Sequence, residues 1–264
     1  MEPLIYYPTF EPPSEIWLKF SLLYFEDFRP IVPYNRIDSL SPEFRMVQEK
    51  TDLITICSPR FDDGERASIK AIDEVDTMLK RPEKGERLFK QNLFLEKWRD
   101  ERTWKSKLYV EKFSQDWANY CIENQIGQKI DDGLLLSEEL CFLFMTYLAK
   151  ELAFRESAAI ITDNNKFDNF TNYARATNHT LDRRTKFAKN ICSLLVPQNL
   201  NDIPIKKIIK FRKKNRALIS AFNSELDNVQ EKIGKGYSGK EFIENYNKIY
   251  SESLPSDKTL KMSK

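Results

Sequence analysis

With 264 residues, 41% of them apolar and 12% aromatic, the chain can bury a real core and is excluded from the disordered class. Seven glycines are too few for the tight turns of an all-β barrel or sandwich. Forty-two basic residues against 40 acidic ones leave a net charge of +2, so any attraction to nucleic acid or a membrane has to come from a local patch.

LIYY at 4–7 predicts a short apolar strand, ended by Pro8, Pro12 and Pro13. Ser14 caps a predicted helix, SEIWLKFSLLYFEDF, with Ile16, Trp17, Phe20, Leu23 and Tyr24 on one face. FRPIVPY (28–34) reads as a second strand, its prolines fitting an edge or strand end. SPEFRMVQEKTD (41–52) opens a helix with Ser41 as cap and Pro42 in the first position. LITICSP (53–59) predicts a third strand and FDDGERASIKAIDEVDTMLK a third helix, Asp62 and Asp63 sitting at its positive end. The alternation predicts a small α/β layer over residues 1–85.

Residues 86–203 predict a mainly helical body with short strands. ERLFKQNLFLEKWRDE is an amphipathic helix pattern, KLYVEKF (107–113) alternates like a strand, and SQDWANYCIENQI returns to helix. Asp132-Gly133 marks a hairpin-type turn. SEELCFLFMTYLAKELAFRES (137–157) is apolar around most of its circumference, the pattern of a central helix covered on all sides. Its longest apolar run, ten residues at 140–149, is too short to span a bilayer. AAIITD (158–163) reads as a closing strand. The stretch 164–203 reads as polar and irregular, with one short helix near DRRTKFAKNICSLLV.

Over 204–264, steps of three and four join Ile205, Ile208, Arg212, Asn215, Ile219, Phe222, Leu226, Val229 and Ile233 in one stripe. Such a 3.5-residue repeat predicts a long helix whose seam is covered by another helix. The cover is either the chain's own fold, a helix over 240–250 included, or a second protein. In the second case Ile219, Phe222, Leu226, Val229 and Ile233 are the partner-binding residues.

Candidate chemistry is thin. Gly234 and Gly239-Lys240 imitate the start of a phosphate-binding loop, but Glu241 replaces the hydroxyl residue that would hold magnesium, and a helix rather than a strand precedes it. No nucleotide or other cofactor is expected; the glycines read as the stop of the long helix. His179, the sole histidine, has no companion ligands, so no metal site is expected. Asp62, Asp63, Glu111 and Asp163 are the acids a metal-dependent nuclease would use. Adjacent Glu111 and Lys112, however, would point to opposite faces of a strand. Lys206, Lys207, Lys210, Arg212, Lys213, Lys214 and Arg216 put seven cations in eleven residues, which could lie along a phosphate backbone. Cys57, Cys121, Cys141 and Cys192 form no CxxC pair and read as free thiols of a reducing cytoplasm; MEPLIYYP lacks the features of a signal peptide.

Several segments together resemble an uncharacterised family of bacterial proteins: IYYP at 5–8, EIWLKFSLLYFEDFRPIVP at 15–33, LYVEKFS at 108–114, FMTYLAKELA at 144–153 with ITD at 161–163, and IIKFRKKNRALISAF at 208–222. The resemblance brings no activity or catalytic residue with it. It implies company among mobile-element and phage-defence genes, where accessory subunits accompany an ATPase or nuclease. The expectation is an α+β, mainly helical protein with a small N-terminal α/β layer, a central buried helix and a long C-terminal heptad helix. Its expected role is a non-catalytic subunit of a cytoplasmic bacterial assembly for anti-phage or anti-plasmid defence. The expected partners are one or more protein subunits, an ATPase or nuclease encoded nearby among them, with DNA reached through the complex and neither membrane nor small-molecule substrate. A metal-dependent nuclease and a DNA-binding accessory protein are the alternatives.

Overall fold

A computed structural model describes residues 3–92, 94–164, 166–175 and 200–233, with side chains of the last stretch through Ser224. The chain is α+β and mainly helical, built on a short parallel sheet covered on both faces. Strand β1 (Leu4–Tyr6) is central: it pairs in parallel with β2 (Phe28–Pro30) on one side and with β6 (Ala159–Ile161) on the other. Beyond β2, residues 53–57 join through two parallel bridges, Phe28 to Ile54 and Ile31 to Cys57, instead of the full strand predicted there. The interruption has a local cause. Leu53, Phe28, Thr55, Pro30, Cys57 and Val32 exchange ladder bonds in turn, but Pro30 has no N–H to give to Thr55.

Alternate side chains of this sheet enter two separate cores. Leu4, Tyr6, Phe28, Val32, Ile54 and Ile161 face one; Ile5, Tyr7, Ile31, Cys57 and Ile160 face the other. A strand buried on both faces needs apolar residues at every position, which is why LIYY is continuous rather than alternating.

The first face is covered by α1 (Glu15–Tyr24) and α2 (Pro42–Lys50). Ser41 caps α2 as predicted, its hydroxyl accepting the Phe44 N–H at 3.2 Å. The second face is covered by α3 (Phe61–Lys80) and α7 (Glu138–Arg155), which run antiparallel and are zipped by ion pairs. Asp63 at the start of α3 meets Arg155 at the end of α7, and Arg66 and Lys70 both meet Glu151. Helix α7 is buried on nearly every side, as its composition predicts, and Ser137 caps it.

Around α7 lie α4 (Pro82–Phe89), α5 (Phe94–Arg99), α6 (Gln115–Glu123), α8 (Asp168–Arg175) and an antiparallel sheet. That sheet has the order β3 (Ser106–Tyr109), β5 (Gly133–Leu136), β4 (Gly127–Ile130). The last described elements are α9 (Ile205–Lys214) and α10 (Arg216–Ile233).

Several expectations change. The helix predicted over 86–101 is two helices, because Lys90 turns left-handed (φ 53°) and the chain folds back so that Phe94 lies over Gly85. The strand predicted over 107–113 stops at Tyr109, and Val110–Lys112 form a 3-10 turn. The β4–β5 loop is Asp131-Asp132, with Gly133 heading β5 rather than completing the turn. Helix α8 occupies part of a stretch read as irregular, while the helix predicted near 182–196 lies outside the described residues.

The long heptad helix is present as two helices joined at Asn215. There the backbone leaves helical geometry (φ −115°, ψ 25°) and the side-chain amide takes the Phe211 carbonyl at 2.9 Å. Segments 1–85, 86–203 and 204–264 share cores: β6 completes the first sheet, and α9 closes the face that α1 and α2 begin. Among the described residues no helix is long and apolar enough to cross a membrane.

Candidate docking surface of the C-terminal helices

Helix α9 divides cleanly into two sides. Ile205, Ile208, Ile209 and Arg212 are buried against the first core. Arg212 is the key to this side. Its guanidinium donates to the Leu22, Phe25 and Glu26 carbonyls at 3.1, 2.6 and 3.2 Å and to the Asp52 carboxylate at 3.1 Å. These carbonyls are the orphan acceptors at the negative end of α1, which has no basic residue in its own last turn. Burial lowers the guanidinium pKa and Asp52 partly restores it. Arg212 therefore caps α1, and is corrected from a nucleic-acid contact to an anchor.

Helix α10 repeats the device eleven residues further on. Asn223 is fully buried and donates to the Tyr24 carbonyl at 3.0 Å. Ile219 is buried against the chain itself, and half-buried Phe222 meets the Tyr24 ring at 5.8 Å between centroids. Ile219 and Phe222, expected to face a second protein, are thus taken up by the chain's own α1. The reason is that carbonyls at the end of α1 take donors from Arg212 on α9 and Asn223 on α10, which holds both helices against it. Leu226, Val229 and Ile233 belong to α10, and their side chains lie outside the described ones.

The opposite side faces solvent. Lys206, Lys207, Lys210, Lys213 and Lys214 are all exposed, and none meets a carboxylate among the described residues. At 100° per residue they fall within an arc of about 120°. Arg216 leaves this group to pair with Asp52 at 2.8 Å. Phe211 and Leu218, seven residues apart and 41% and 58% exposed, stand at the border of the lysine side.

The acids proposed for metal-dependent cleavage are not gathered. Asp63 is buried, accepts the Arg60 N–H at 2.9 Å and pairs with Arg66 and Arg155, so it holds α3 to α7. Asp62 is exposed on α3, Glu111 accepts from Asn35, and Asp163 accepts the Tyr6 hydroxyl proton at 2.9 Å. Among the described residues no three of His, Cys, Asp or Glu stand together as a metal site would require. His179, Cys192 and the phosphate-loop imitation at 234–241 lie outside the described residues.

No family model, curated protein or solved structure matches this chain. What it does is therefore read from its own geometry.

Two features of that geometry had no sequence signal. The parallel strands stand in the order 53–57, β2, β1, β6, so the order reverses between β1 and β6, where Tyr6, Thr9 and Asp163 form a hydrogen-bonded group. Strand order is a long-range property, invisible to local periodicity. The second feature is Lys112, 3% exposed, whose ammonium meets the Met145 sulfur at 3.6 Å and the Phe10 ring at 4.7 Å. Burial pulls its pKa down to about 8. Only the 3-10 turn after β3, which sends Val110 outward, turns this lysine inward.

Proposed function

We propose that the chain is a non-catalytic interaction subunit of a bacterial multiprotein assembly, of the antiviral kind that the resemblance implies, with α9–α10 as its docking element. One observation carries the reading: helices pinned to α1 by Arg212 and Asn223 present Phe211 and Leu218 to solvent two turns apart. Two helices anchored end to end and offering apolar side chains at such spacing suit a groove on another protein. The heptad pattern of the sequence runs on through Leu226, Val229 and Ile233. The partner expected is a protein subunit, with an ATPase or nuclease encoded nearby as the first candidate.

Co-expression with the products of adjacent genes, followed by size-exclusion chromatography, tests this. A complex of fixed stoichiometry is expected, and the double variant Phe211→Glu/Leu218→Glu should abolish it while melting like the parent. Elution alone in every combination, or a complex indifferent to the double variant, overturns the reading.

A second reading is favoured by the sheet. In open parallel sheets ligands bind outside the carboxyl ends of the strands, where strand order reverses. Asp163 follows β6 at that place, and burial raises its pKa. Incubation with DNA or RNA and Mg²⁺ or Mn²⁺ decides: cleavage lost in Asp163→Asn would make the chain an enzyme. Asp63→Ala is uninformative, because Asp63 holds two helices together.

A further inference from the structure

We propose that the outward side of α9, formed by Lys206, Lys207, Lys210, Lys213 and Lys214, binds the phosphate backbone of nucleic acid. Charges nearly cancel over the whole chain, yet these five ammonium groups share one side of a ten-residue helix that contains no acid. At 1.5 Å per residue they extend over about 12 Å, the width of a B-DNA major groove.

Their placement opposes the helix's own stability. Lys206 and Lys207 occupy the first turn, at the positive end of the dipole, where acids are favoured and none is present. Lys206 and Lys210, and Lys210 and Lys214, are like-charged at i,i+4, an arrangement that disfavours a helix. A polyanion laid along this side removes both penalties. Among the described residues no acid offsets them: Asp52, which reaches this end of the arm, is engaged by Arg212 and Arg216.

The chemistry also says how the contact is made. The two arginines of the stretch, which could read bases through bidentate forks, are turned to Asp52 and the end of α1. What remains is lysine, a point charge that suits phosphate and carries no sequence information. The binding is therefore sequence-independent and strongly salt-dependent. A membrane surface is disfavoured, since within α9 Phe211 is the one exposed apolar side chain and an interfacial helix needs a broad apolar face. This inference uses the lysines alone and does not rest on the docking reading.

Fluorescence anisotropy of the full chain with labelled duplex DNA and single-stranded RNA, across a salt series, tests it. Three to five phosphate contacts give a log–log salt slope of about −3 to −4.5 on duplex. The triple variant Lys206→Gln/Lys210→Gln/Lys213→Gln should weaken binding at least about tenfold and flatten the slope by about 0.9 per lysine. A control triple of exposed lysines elsewhere, Lys80→Gln/Lys105→Gln/Lys129→Gln, makes the same change in net charge and should bind as the parent does. Equal losses in the two triples, a flat salt response, or capture by phosphatidylserine vesicles in preference to either nucleic acid overturns the proposal. Circular dichroism confirms that both triples are folded. The subunit-capture experiment above should be unaffected by the lysine triple, so the two readings fail separately.

Discussion

Lys112 carries an ammonium ion into a site made of a thioether and a phenyl ring. Glu111 and Cys141 face it and favour its charge only weakly against the burial, leaving its pKa near 8. The unfolded chain holds this proton up to about pH 10.4. Below pH 8 both states are protonated and the folded state bears the whole cost, about 3 kcal/mol. Between pH 8 and 10.4 the unfolded state binds more protons, so this group's contribution makes the fold more stable as pH rises. The Cys141 thiol, pushed up to about 11 by burial, acts in the opposite sense above pH 9, where the unfolded cysteine loses its proton first. A difference measurement separates the two. Lys112→Met, which keeps length and removes charge, should raise the urea midpoint at pH 7 by the equivalent of about 2–3 kcal/mol. Its advantage over the parent should shrink as pH climbs from 8 to 10. A constant advantage across that range would show that native Lys112 keeps its proton up to pH 10 and would count against the lowered pKa.

At the level of elements, the sequence patterns that hold are the ones complete within a few turns. Ser41-Pro42 and Ser137 begin helices where predicted, and the apolar girth of 137–157 marks the central helix, because caps and one-helix burial depend on residues close in the chain. The failures occur where a distant residue intervenes. Helix 86–101 divides because Phe94 seats over Gly85, whose missing side chain leaves room: a Cβ there would stand 2.1 Å from the ring. The hairpin is displaced by one residue because Gly133 packs under the Leu108 carbonyl. A Cβ on Gly133 would lie 2.0 Å from that oxygen, and its φ of 159° disfavours any other residue. Gly133→Ala should accordingly cost more than about 2 kcal/mol by forcing β3 and β5 apart. Chemical denaturation measures it, and a loss below about 0.5 kcal/mol would show that the strands tolerate separation.

Across the whole molecule, α9 and α10 are both lid and outward surface. Their inner side completes the core over α1, and the outer side offers lysines and two apolar residues. A chain ending at residue 203 should therefore lose more than a binding surface. Leu18, Leu22 and Phe25 would lose their cover and the Leu22, Phe25 and Glu26 carbonyls their donor. Such a truncation is expected to bind a hydrophobic dye and to unfold without a sharp transition. A truncated protein that melts cooperatively near the parent temperature would show instead that the helices are an appendage.

By itself the sequence determined which faces are apolar, where helices begin, and that a basic run and a heptad stripe share the last third of the chain. These are local periodicities, written in the residues that display them. The tertiary structure alone decided what covers each face. It placed β1 between β2 and β6, gave half of the seam to α1, drew Arg212 inward and left the lysines outside. Burial is a relation between distant segments, and a carbonyl-rich helix end nearly two hundred residues upstream claimed Arg212.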